Sequence, residues 1–209
     1  MKTTFLRWYI AILALTTHFL YSNSDSVEIR IHFLHGSKPK YKFRKTEKRW
    51  FGGLLGGHVG IEIEPNYILN FLPSSQVHIF SKKDNINSLF ALHDTISFYR
   101  ILGGDPAANK KTMITLRITS KQKENLDCVA KNYLEQSQYD YAFFGTRCGA
   151  ATYDVLSKAG IVREYSFKRT WRRFFYPRRV RHYLEHYALS KKFKIEKQKG
   201  NDRRRWERD

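Results

Sequence analysis

The chain has 209 residues, with 38 Lys and Arg against 19 Asp and Glu, and a formal net charge of +19. A hydrophobic share of 42% and an aromatic share of 15% exclude a disordered chain, and 12 Gly with 5 Pro exclude a collagenous or low-complexity one. Two cysteines, Cys128 and Cys148, cannot supply a disulfide framework or a four-thiolate zinc site, and the excess of positive charge calls for an anionic partner or surface.

Residues 1–24 read as a secretory signal or N-terminal anchor. Lys2 and Arg7 precede an apolar run, and Ser22, Asn23 and Ser24 give a small-residue exit. Cleavage after Ser24 and retention as an anchor are both open, and both put the remainder outside the cytoplasm, in the periplasm or cell envelope. Strands are expected first: residues 27–33, 40–44, 58–63 and 67–71, then shorter β segments at 77–80, 95–101 and 111–118. The glycine-rich stretch 51–57 is expected to be a loop, and Glu64, Pro65 and Asn66 a turn. Thr119 with Gln122 forms a capping-box pattern ahead of an apolar stripe of Leu126, Val129, Ala130, Tyr133 and Leu134. A second helix is expected from Cys148, with Thr146 as N-cap and Gly160 past its end, and a third from Pro177 to Leu189. The fold class is α+β, an antiparallel sheet packed against helices in one domain. The last 49 residues carry 17 Lys and Arg against 6 Asp and Glu, which reads as a solvated tail or as a tether to an anionic membrane or cell-wall surface.

Cys148 stands where a helix dipole and free N–H groups favour a thiolate. Arg147 adds positive charge, and Gly149 leaves room for a substrate, so both belong to a candidate thiolate or oxyanion environment. A buried structural cysteine fits this segment equally well. Cys128 lies off the apolar stripe of its helix and reads as a surface thiol. His58 opens a strand after the glycine loop, and a three-residue turn would pair Ile63 with Tyr67 and Gly60 with Asn70. His58 and Asn70 would then be diagonal neighbours on one face, a base and its orienting group. Glu62, on the same face, is the alternative orienting residue. Taken alone, His58 would read as a strand histidine bonded to backbone. His32, His35, His182 and His186 lack a third ligand, so no metal is expected.

Gly57-His-Val-Gly-Ile-Glu-Ile63, then Asn70, then Thr146-Arg-Cys-Gly-Ala-Ala-Thr-Tyr-Asp-Val-Leu156 resembles the circularly permuted branch of the NlpC-type papain-like superfamily. That branch includes lecithin:retinol acyltransferase-like and YiiX-like proteins. The resemblance covers roughly residues 27–165 and implies a permuted papain-like catalytic domain over 25–165, with 166–209 as a basic helix and tail beside it. It assigns Cys148 as nucleophile, His58 as base and Asn70 as the orienting residue, without a cofactor. Asn70 stands where acyltransferase-like relatives often carry a second histidine, and Arg147 where many relatives have Asn. The implied activity is a thiol hydrolase of the cell envelope cleaving an amide or ester. Lipid or protein acyl transfer at the same site is the alternative, and a non-catalytic basic envelope-binding protein is a further one. Nucleic acid is not an expected partner, since no recognition motif is present.

Overall fold

A computed structural model describes residues 25–83 and 86–208. The expected signal segment, residues 1–24, lies outside the described residues. Among these, no helix is long and apolar enough to cross a membrane.

In chain order the strands are β1 (Ser26–His35), β2 (Ser37–Pro39), β3 (Gly57–Glu64), β4 (Tyr67–Leu72), β5 (His78–Phe80) and β6 (Leu89–Asp94). Helix α1 (Thr95–Arg100), strand β7 (Lys111–Thr119), α2 (Ser120–Glu135), β8 (Ala142–Phe144) and α3 (Cys148–Lys158) follow. The chain closes with α4 (Phe167–Arg173), α5 (Pro177–Ser190), β9 (Ile195–Gln198) and β10 (Arg204–Trp206). The fold is α+β. Its six-stranded sheet has the order β6-β4-β3-β1-β7-β9, and every neighbouring pair is antiparallel.

Alternation in β1 and β3 builds two layers. Ile29, Ile31, Phe33, Val59 and Ile61 point to the main core, where Leu126 and Ala130 of α2, Val155 and Leu156 of α3, and Val180 and Leu184 of α5 cover them. Leu34, Ile68 and Trp50 meet Phe98 and Tyr99 of α1 in a smaller cluster. This second cover is why β1 is buried continuously from Ile31 onward instead of alternating.

The capping box of α2 forms as expected: the Thr119 hydroxyl accepts from Gln122 N–H, and the Gln122 side chain accepts from Thr119 N–H. At the end of α3, Gly160 has φ 72°, its N–H bonds the Ser157 carbonyl and Ile161 N–H bonds that of Leu156. This is a Schellman motif, and its left-handed residue favours glycine.

Four expectations change. Residues 40–44 form a 3-10 turn (Tyr41–Phe43) rather than a strand, because this basic run has no apolar face to bury and Tyr41 is exposed. Residues 95–101 form α1 rather than a strand: Asp94 Oδ1 accepts from the N–H groups of Ile96 and Ser97 at 2.9 and 3.0 Å and so starts a helix. The N-cap of α3 is Arg147, not Thr146, and no side chain caps it. Lastly, the basic C-terminus is part of the fold rather than a solvated tail. Strand β9 extends the main sheet beside β7, and β10 pairs with β2. Two of its arginines are paired inside: Arg204 Nη1 lies 3.1 Å from Glu47, and Arg181 of α5 pairs with Glu207.

Candidate active site

Gly57 opens β3 at φ 128°, and a Cβ there would lie 2.7 Å from the Leu34 carbonyl oxygen, so glycine is required where the loop enters the sheet. His58 follows, opposite Leu34 of β1. On β4, Asn70 stands opposite Gly60 as expected, although Tyr67 faces Glu64 rather than Ile63. The hairpin turn is one residue shorter than expected, and a bulge between Glu62 and Glu64 restores the register. His58 and Asn70 therefore share a face, and His58 Nε2 bonds Asn70 Oδ1 at 2.9 Å.

The amide is oriented from behind. Asn70 Nδ2 donates to the carbonyls of Ile68 at 3.2 Å and Ala91 at 3.0 Å, and lies 2.9 Å from His93 Nδ1. Carbonyl oxygens only accept, so Nδ2 must face them and Oδ1 must face His58. Nε2 then carries the imidazole hydrogen, which leaves the Nδ1 lone pair free to accept a proton. Burial lowers the His58 pKa to about 4, with the Asn70 bond working in the opposite direction.

Cys148 begins α3 and is 2% exposed. Its sulfur is approached by the N–H groups of Gly149 and Val59 and by the Tyr141 hydroxyl. Val59 directly follows His58, so the thiol sits against the start of the strand that carries the histidine. The two side chains approach that point from different layers. The His58 ring packs 5.4 Å from the Phe98 ring, whereas Cys148 belongs to the core with Val59 and Ile61. Among the described residues, His58 hydrogen-bonds Asn70 and not the sulfur. The thiolate expected from the helix start is not the resting form. Burial pushes the Cys148 thiol up, and the nearby Arg147 charge, the Tyr141 hydroxyl and the two N–H groups do not overcome it.

Arg147 is buried beside the thiol. Gly149 makes room for the chain, not for a substrate: a Cβ there would lie 2.6 Å from the Phe174 carbonyl oxygen and 3.1 Å from the Tyr176 carbonyl carbon. Glu62 shares the His58 face but is committed elsewhere, 2.9 Å from His32 Nε2 and 3.1 Å from Arg30 Nη1, so it does not orient His58. Burial opposes ionisation of Glu62, but these partners and the Asn66 N–H outweigh it and hold its pKa at about 2. Cys128 is exposed on α2, and among the described residues no group of three metal-binding side chains occurs.

Tyr141 and Phe98 escaped the sequence reading. Tyr141 reaches Cys148 because the 142–146 turn folds back, with Ala142 N–H bonding the Thr146 carbonyl at 3.2 Å. The Gly145-Thr146 pair after a run of aromatics was the available cue. Phe98 lies in a segment whose pattern predicts a strand, which hides its approach to His58.

No protein-family profile, curated protein or solved structure matches the chain.

Proposed function

We propose that the chain is a cysteine hydrolase with a circularly permuted papain-like organisation, cleaving an amide or ester through an acyl-Cys148 intermediate. The observation that carries this reading is the His58–Asn70 bond, with the free Nδ1 that it leaves on the strand flanking the thiol. Proton transfer on this reading requires the His58 ring to leave its resting place against Phe98 and bring Nδ1 within hydrogen-bond reach of the sulfur. Nδ1 takes the thiol proton as sulfur attacks the carbonyl carbon. N–H groups at the start of α3 hold the resulting oxyanion. The imidazolium then protonates the leaving amine or alcohol as its bond to carbon breaks. A water molecule, deprotonated by the same nitrogen, attacks the acyl-cysteine carbonyl and releases the acid and the thiol. Asn70 keeps Nε2–H engaged throughout and moves no proton itself.

Acyl transfer is the second reading, favoured by the burial of His58 and Cys148, which keeps bulk water from competing with an alcohol or amine acceptor. Export to the cell envelope is proposed from residues 1–24, and an amide or ester of that compartment is the proposed substrate.

The test is hydrolysis of a small thioester by wild type, Cys128→Ala and Cys148→Ala. Activity is expected in the first two and not in the third. Equal activity in all three contradicts the enzyme reading and leaves Cys148 a structural core residue.

A further inference from the structure

Among the described residues, three arginines are buried deeply enough for their charge to need an internal partner. Arg181, 1% exposed, pairs with Glu207, and Arg204, 4% exposed, pairs with Glu47. Arg147 is also 4% exposed, yet among the described residues no carboxylate pairs with it. Instead its guanidinium lies among four aromatic rings, those of Phe51 at 5.8 Å, Phe143 at 5.6 Å, Phe175 at 4.9 Å and Tyr176 at 5.4 Å. Tyr141 supplies a hydrogen-bonding hydroxyl, but Nε and Nη1 are buried without a hydrogen-bond partner.

Aromatic faces return part of the desolvation cost of a cation. They accept no hydrogen bond along the N–H directions. A buried guanidinium with two idle donors is therefore costly unless an anion completes it. The sulfur of Cys148 is the neighbouring reactive atom, close enough for the Arg147 charge to act on it.

A basic cavity adjoins this cage at Tyr176. A cavity of about 660 Å³ is walled by Arg173, Arg178, Arg179 and His186, together with Leu55 of the glycine-rich loop and Tyr176. Tyr176 is thus both a wall of the cavity and part of the Arg147 cage. Such a cationic wall concentrates anions at the mouth.

We infer that Arg147 receives a carboxylate of the substrate beside the bond that Cys148 attacks, so that the site selects acidic acyl compounds over neutral ones of the same shape. One guanidinium matches one negative charge. A phosphate dianion would leave a second charge uncompensated among the rings. The catalytic consequence rests on the hydrolase reading above, whereas binding of the anion at Arg147 does not. The residue that departs from the usual asparagine thereby becomes the specificity-determining one.

Two alkylating reagents test this on the full chain. Iodoacetate carries a carboxylate next to its reacting carbon, and iodoacetamide is its neutral counterpart. The same thiolate attacks the CH2 carbon of each and displaces iodide, so the ratio of their rates cancels the thiolate population. Exposed Cys128 is the reference within the same molecule. The iodoacetate-to-iodoacetamide ratio at Cys148, read by peptide mass, is expected to exceed that at Cys128 by about tenfold. Arg147→Met should abolish the difference, and Arg147→Lys should keep part of it. Equal ratios at the two cysteines in wild type overturn the inference. If Cys148 reacts with neither reagent while the protein is folded, the hydrolase reading fails, and butyrate, a monocarboxylate, decides the inference separately. Thermal stabilisation by butyrate in wild type but not in Arg147→Met supports the anion site, and equal effects on both proteins overturn it.

Discussion

His58 and Asn70, twelve residues apart, are joined across the β3–β4 hairpin by a 2.9 Å bond that fixes which imidazole nitrogen is free. Asn70→Ala removes the acceptor for Nε2–H and releases the tautomer. The bond is between neutral groups at rest but faces an imidazolium in the transition state, where a hydrogen bond contributes roughly 1.5–3 kcal/mol, so kcat/KM on a small thioester should fall about 10- to 100-fold while folding is retained. The nitrogen chemical shifts of His58 should move at the same time toward a mixture of tautomers. Unchanged activity would remove Asn70 from the mechanism.

The buried imidazole makes stability depend on pH. In the folded state His58 protonates near pH 4, whereas unfolded histidine protonates near 6.5. Between these values the unfolded chain binds the proton and the folded chain does not, so stability is lost as pH falls from about 6.5 towards 4. The full difference is on the order of 3 kcal/mol. Urea unfolding of wild type and His58→Gln across this range should diverge, with the variant losing less. Parallel curves would mean that His58 titrates as an exposed histidine.

Much of this geometry was legible in the sequence. Strand alternation placed His58, Gly60 and Glu62 on one face, and the Gly60–Asn70 pairing emerged although the turn was shorter than expected, because the bulge compensated. What escaped depended on tertiary contacts. The burial that keeps Cys148 a thiol comes from the main core, which brings Val59 of β3 against it from far away in sequence. The charge-dense C-terminus gave no sign that Arg181 and Arg204 find carboxylates inside the fold. Residues 95–101 were misassigned because an alternating pattern hid the Asp94 cap.

Gly149 separates two effects of opposite sign. Helix propensity alone would make Gly149→Ala stabilising by up to about 1 kcal/mol. The close approach of the Phe174 carbonyl, 2.6 Å from the missing Cβ, makes it destabilising instead, by about 1–3 kcal/mol. Chemical denaturation distinguishes these outcomes, and a stabilised variant would contradict the packing described at the start of α3.

The C-terminal strand should behave as part of the core. Glu207→Gln removes the carboxylate facing Arg181 and should cost about 3 kcal/mol, with the loss greatest in chemical denaturation at neutral pH. Deleting residues 200–209 also removes Arg204, whose Nε bonds Ser37 Oγ at 2.7 Å, and the β2–β10 pairing, and should destabilise the fold. A truncated protein with wild-type stability would restore the view of this segment as a surface tether.

The most direct measurement is intact-protein mass spectrometry after brief exposure to an activated acyl thioester, followed by peptide mapping. A single acyl adduct is expected on Cys148 in wild type and in Cys128→Ala, and none in Cys148→Ala. An adduct confined to Cys128, or none on folded protein under conditions where free thiols acylate, would contradict the assignment of Cys148 as the nucleophile.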